Sequence, residues 1–143
     1  MTVALSGIPV IETERLVLRA PGPQDWEPYA AFILSDRADF IRPAEFDRSL
    51  AWRAFCHATG MWVARGYGSF VIADRVTGAT LGMAGPWHPE GWPEPEIGWT
   101  IWSTEAEGKG IAAEGARAAI DFAFRDLGWS TAVSYIAPGN ERS

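Results

Sequence analysis

Residues 96–124, EIGWTIWSTEAEGKGIAAEGARAAIDFAF, constrain the fold more than any other stretch of this chain. Ile97 to Trp102 alternates as a strand does, and Gly108, Lys109 and Gly110 form a tight turn. A long amphipathic helix then runs to about Leu127, with Gly128 as its stop. Ile111, Gly115, Ala119, Ile120, Ala123 and Leu127 fall on one stripe of that helix. Glu114, Arg117, Asp121 and Arg125 fall on the other side, where Arg117/Asp121 and Asp121/Arg125 have ion-pair spacing. The alanines let such a helix lie close against a sheet. A glycine turn feeding a helix N-terminus also presents unpaired N–H groups at the positive end of the helix dipole, which suits phosphate oxygens.

The rest of the chain supplies the elements around this unit. Thr13 to Ala20 alternates Leu16 and Leu18 against Arg15, Val17 and Arg19 and reads as a first strand. A helix starts near Gln24 and Asp25 and runs to about Ser35, and residues 37–46 are irregular around Pro43. Asp47 or Ser49 caps a second helix from about Leu50 to Ala64, closed by Gly66 to Gly68. Phe70 to Asp74 and Thr80 to Ala84 form a hairpin turning at Thr77-Gly78. Ser130 to Ala137 reads as a last strand, broken by Pro138-Gly139. The order is strand, two helices, three strands, helix, strand. It predicts an α/β (α+β) class: one domain over residues 1–143 with a mixed, largely antiparallel central sheet flanked by helices.

Composition excludes several functions. With a formal net charge of -6, a nucleic-acid backbone is not expected as partner, whereas cationic amines suit an acidic surface. No run approaches the roughly 18 apolar residues of a membrane span, and the N-terminus lacks a basic start and apolar block. The single cysteine, Cys56, rules out an intramolecular disulfide and fits a cytoplasmic setting. It is expected to be buried, and its neighbour His57 diverges by about 100° on a helix, so the two form no nucleophile–base pair by local geometry. No cluster has metal-ligand spacing. Eight tryptophans exceed what a core this size needs. Trp87, Trp92, Trp99 and Trp102 are candidates for an aromatic wall around an acceptor, with at least two of them packing residues.

The GKG turn fits neither common phosphate motif. A Walker loop needs Ser or Thr after its lysine, but Gly110 follows Lys109. A dinucleotide fingerprint belongs to the first βαβ unit of a parallel sheet, and this turn follows a late strand in an antiparallel order. The wider pattern resembles the GNAT superfamily of acyl-CoA-dependent N-acyltransferases. Their signature is Gln or Arg, two residues, Gly, one residue, then Gly or Ala. Glu107-Gly108-Lys109-Gly110-Ile111-Ala112 matches at Gly110 and Ala112 and departs at Glu107. TERLVLR, the EIGW strand opening, AAEGARAAIDFAF and the ending APGNERS extend the likeness over Ile11 to Ser143. In particular they resemble the branch that includes ribosomal-protein N-terminal alanine acetyltransferases.

The resemblance implies acetyl-CoA as cosubstrate, an amine as acceptor and no metal. Backbone N–H groups of Gly108, Lys109, Gly110, Ile111, Ala112 and Ala113 would take the pyrophosphate. Thr100 to Ser103, including Ile101, Trp102 and Ser103, would pair with the pantetheine arm as with another strand. An N–H at Ile101 or Trp102 would polarise the thioester oxygen. Glu107 is tolerable if its carboxylate avoids the phosphates, Asn140 would hold the cofactor or a splayed strand, and Ser143 would protonate the departing thiolate. On an alternating strand Glu96 shares a face with Gly98, Thr100 and Trp102, which makes it the candidate general base.

The leading expectation is an N-acetyltransferase acting on a primary amine by direct attack on the thioester. The alternative is a non-catalytic acyl-CoA-binding or sensing domain of the same shape. A homodimer is compatible with either, and neither requires a membrane. Family members continue past this point with a helix and closing strands. The catalytic domain is therefore expected to be C-terminally incomplete here, with a tail omitted from the sequence rather than absent from the protein.

Overall fold

The computed structural model describes residues 3–143. Two short strands, β1 (Ile11–Glu12) and β2 (Leu16–Arg19), replace the single expected strand. The chain folds back between them, and the Thr13 N–H donates to the Leu16 carbonyl at 2.9 Å. Next come α1 (Trp26–Ile33), α2 (Arg48–Arg65), β3 (Phe70–Asp74), β4 (Thr80–Trp87), β5 (Glu96–Ile101) and α3 (Ile111–Arg125). The strands form one antiparallel sheet in the order β1-β2-β3-β4-β5.

Strand alternation assigns the two faces. Leu16, Leu18, Phe70 and Ile72 pack against Ile111 and Phe122 of α3. Val71 and Met83 face the other way, against Phe32, Ile33, Ala51 and Ala58 of α1 and α2. The sheet is thus covered on both faces, as the sequence predicts. The Asp47 carboxylate caps α2 by accepting from the Leu50 N–H at 2.8 Å, and Gly66 closes that helix in the left-handed region at φ 82°. One polar knot joins β2, α1 and β4. The fully buried Asp25 carboxylate accepts from Arg19 twice at 2.9 Å, from the Thr80 hydroxyl at 2.7 Å and from the Gly22 N–H at 2.8 Å.

β4 runs to Trp87 rather than stopping at Ala84, because its β5 pairing outlasts its β3 pairing, which ends at Phe70↔Ala84. Pro86 lies past that end, so its missing N–H removes no rung. The expected strand over 130–137 does not form. Only an isolated parallel bridge joins Glu96 and Val133, with the Ile97 N–H donating to the Val133 carbonyl at 2.9 Å. The next rung would take the Tyr135 N–H to the Ile97 carbonyl. That N–H instead donates to a Glu96 carboxylate oxygen at 2.8 Å, and the ladder stops there. The segment after Val133 forks away from β5.

Candidate active site

Gly108 and Gly110 have φ of +71° and +76°, a conformation glycine adopts without strain, and Gly110 caps α3 without a side chain. The first helical bond runs from the Glu114 N–H to the Gly110 carbonyl at 3.0 Å. The N–H groups of Ile111, Ala112 and Ala113 therefore have no partner among the described residues, and all three residues line a cleft. The β1–β2 turn fixes this helix end from behind. Arg15 donates to the Lys109 carbonyl at 2.8 Å and to Glu114 at 2.7 Å, and Thr13 donates to Glu114 at 2.5 Å. Burial alone would raise the Glu114 carboxyl. Hydrogen bonds from Thr13 and Arg15, with the Arg15 charge, hold it below the usual carboxylate range.

The cleft encloses about 810 Å³. One wall is the connector after α1, with Asp36, Arg37, Phe40 and Ile41; the floor is the end of β5. The glycine turn and the first turns of α3 close the far side, and Asn140, Arg142 and Ser143 border the mouth. Arg37, Arg117 and Arg142 outnumber Asp36 and Glu107 there, so the cleft is locally cationic on an acidic chain. The pairing of Arg117 with Asp121 expected from spacing is not among the ion pairs of the described residues, and Arg117 borders the cleft instead.

Ten of the residues predicted to hold the cofactor or act on it line this cleft: Thr100, Ile101, Glu107, Gly108, Gly110, Ile111, Ala112, Ala113, Asn140 and Ser143. Lys109, Trp102 and Ser103 do not. The Trp102 and Ser103 N–H groups both donate to the Leu81 carbonyl, at 2.7 and 3.2 Å, so neither can polarise a ligand. The Trp102 indole is buried against Tyr29, with ring centroids 5.2 Å apart. Ile101 differs by strand parity. Because Trp102 donates to Leu81, the Gly82↔Ile101 pair is the non-hydrogen-bonded kind, and the Ile101 N–H and carbonyl point to the open edge of β5. Of the four tryptophans considered as a wall, only Trp99 lines the cleft.

Glu107 lines the cleft with its side chain partly exposed, but its carboxylate is held by arginines. Arg37 donates to its Oε1 from Nε at 2.9 Å and Nη2 at 2.5 Å, and Arg142 stands 3.8 Å from its Oε2. Arg37 also donates to the Trp102 carbonyl at 2.7 Å and the Ile101 carbonyl at 2.9 Å. The sequence gives no sign of Arg37, which sits 70 residues from Glu107 in an irregular segment.

Glu96 is buried and outside the cleft lining. Its two oxygens accept from the Trp92 indole at 3.0 Å and the Tyr135 N–H at 2.8 Å, each keeping a second lone-pair direction. Tyr135 donates its hydroxyl to Glu94 at 2.6 Å; that bond first, then desolvation and the nearby carboxylate charges, push its pKa to about 12. Cys56 is exposed on α2, contrary to expectation, because the buried face of that helix is taken by Ala51, Phe55, Ala58 and Trp62.

A mixed α/β domain with an open helix N-terminus beside a forked sheet matches known proteins closely. The family model for the acetyltransferase (GNAT) domain matches residues 15–143. An acetyltransferase from Agrobacterium tumefaciens is 35% identical with a TM-score of 0.87, covering 99% of this chain and 82% of that one. A GNAT-family acetyltransferase from Bacillus anthracis is 22% identical with a TM-score of 0.67, covering 84% and 69%. A ribosomal-protein-S5-alanine acetyltransferase from Vibrio fischeri is 17% identical with a TM-score of 0.70, covering 94% and 77%. The chain belongs to the GNAT acetyltransferase family, whose members use acetyl-CoA as cosubstrate.

Proposed function

We propose that this protein transfers an acetyl group from acetyl-CoA to a primary amine by direct attack on the thioester. The observation that carries the reading is the set of unpartnered amides at Ile111, Ala112 and Ala113, opening into a cleft with three arginines. Such donors match pyrophosphate oxygens in charge and spacing. The free edge of β5 at Trp99 and Ile101 suits an amide-bearing arm laid along it, and the Ile101 N–H suits the developing oxyanion. Asn140 and Ser143 at the mouth are assigned to holding the arm and protonating the thiolate.

Attack needs a neutral amine. An α-amine, with a reference pKa near 8, needs less assistance than a lysine near 10.4. That favours a protein N-terminus or a small amine of similar basicity, and several solved neighbours of this fold carry names of ribosomal-protein acetyltransferases. Glu96 is assigned the base role through its remaining lone pairs. The test is release of free thiol from acetyl-CoA with a panel of primary amines, followed across pH in the wild type and Glu96→Gln. The expected result is amine-dependent thiol release whose low-pH limb, set by protonation of the amine, persists in both proteins, with about 10²-fold less activity in the variant. Binding of CoA without thiol release for any amine would favour the sensing domain, and wild-type activity in Glu96→Gln would remove Glu96 as the base.

A further inference from the structure

We propose that Arg37 is a positioning residue for the acyl-CoA site, acting by restraining the carboxylate of Glu107 that would otherwise oppose the phosphates. The inference rests on the acyl-CoA reading above and adds a residue outside the signature. The chain carries an anion where the family pattern has Gln or Arg, immediately before the glycine turn whose amides await an anionic ligand. Left free, that carboxylate would repel the ligand.

The geometry removes this conflict. Arg37 reaches Glu107 Oε1 through Nε and Nη2, while Nη1 and Nη2 also reach the Trp102 and Ile101 carbonyls. The guanidinium also lies over the Phe32 ring, 5.2 Å from its centroid. One planar fork thus ties the phosphate turn to the last two carbonyls of the strand end beside it, which a lysine could not do. Arg142 stands on the other carboxylate oxygen at 3.8 Å. Because the guanidinium occupies the Ile101 carbonyl, the edge left for the pantetheine arm ends at the Ile101 N–H. Arg37 therefore sets two things: the direction of the Glu107 charge and the length of free strand edge.

The mechanism makes a sign-specific prediction, because loss of Arg37 should matter mainly while Glu107 is charged. CoA and acetyl-CoA binding are measured by calorimetry on the full chain for the wild type, Arg37→Met, Glu107→Gln and the double variant, with circular dichroism to follow the fold. Arg37→Met should weaken binding about tenfold or more, and Glu107→Gln should tighten it, because the charge opposing the phosphates is gone while the cations remain. The double variant should bind better than Arg37→Met alone, an outcome that a merely structural role for Arg37 would not produce. If Arg37→Met unfolds, the same comparison is made between Arg37→Lys and Arg37→Lys/Glu107→Gln. Wild-type affinity in the single arginine variant, or no recovery in the double, overturns the proposal. A wild-type protein that binds no CoA would instead overturn the function on which it rests.

Discussion

Asp25 shows what a single side chain does in this molecule. Its carboxylate has no solvent exposure, and Arg19, Thr80 and Gly22 supply four hydrogen bonds to it. Burial alone would raise its carboxyl, but those bonds and the Arg19 charge leave it below the ordinary aspartate value. Asp25→Ala strands a partly buried guanidinium and should cost about 3–5 kcal/mol, read from chemical denaturation. A depressed carboxylate contributes its stability above the unfolded value of about 3.9 and loses it as pH falls through the folded value. The wild type should therefore lose stability below about pH 4, and the variant should lose less over the same interval. None of this knot was visible in the sequence beyond Asp25 as a helix-start residue, since Thr80 is 55 positions away.

Among the elements, α3 was the most legible, because helical periodicity and a glycine stop report on the chain's own neighbours. Ile111, Gly115, Ala119 and Ala123 of the apolar stripe are buried, Ile120 and Leu127 are half-buried, and the buried face also takes in Ala116, Ala118 and Phe122, which the stripe did not include. The segment over 130–137 was not legible: its alternation is real, yet strand pairing depends on a partner, and the Glu96 side chain takes the N–H that the partner strand needed. The closeness of α3 to the sheet depends on Gly115, where a Cβ would stand 2.8 Å from Ile72 Cδ1 and 3.7 Å from Ala84 Cβ. Gly115→Ala should be tolerated by a shift of the Ile72 tip. Gly115→Leu should lift the helix, lowering stability by about 1–3 kcal/mol and weakening CoA binding as the amide cradle moves. Thermal melts and CoA titration of the two variants check this, and equal behaviour of alanine and leucine would refute the close-approach argument.

At the scale of the whole molecule, a net charge of -6 surrounds a cleft in which three arginines face two carboxylates. Composition alone pointed away from anionic ligands, because a sum over residues hides where the cations sit. Arg37 and Arg142 converge with Glu107 only after folding. The long-range field of an acidic chain should oppose approach of CoA, while the arginines act at contact. Raising ionic strength from about 0.05 M to about 0.5 M screens both, and the contact attraction is expected to dominate. The apparent Kd for CoA should therefore rise with salt, measured by titration; a Kd that falls would mean that the surrounding acidic field governs binding.

The fork beside β5 has a consequence for solubility. A strand edge with unpaired amides is a template on which a second chain can grow a sheet. Here the Ile97 N–H is already given to Val133, and Arg37 caps the Ile101 carbonyl. Between these two stoppers only the Ile97 carbonyl, the Trp99 groups and the Ile101 N–H remain unmatched among the described residues. So few free groups limit how far a second copy could extend the sheet along that edge, while the stretch stays open to a ligand.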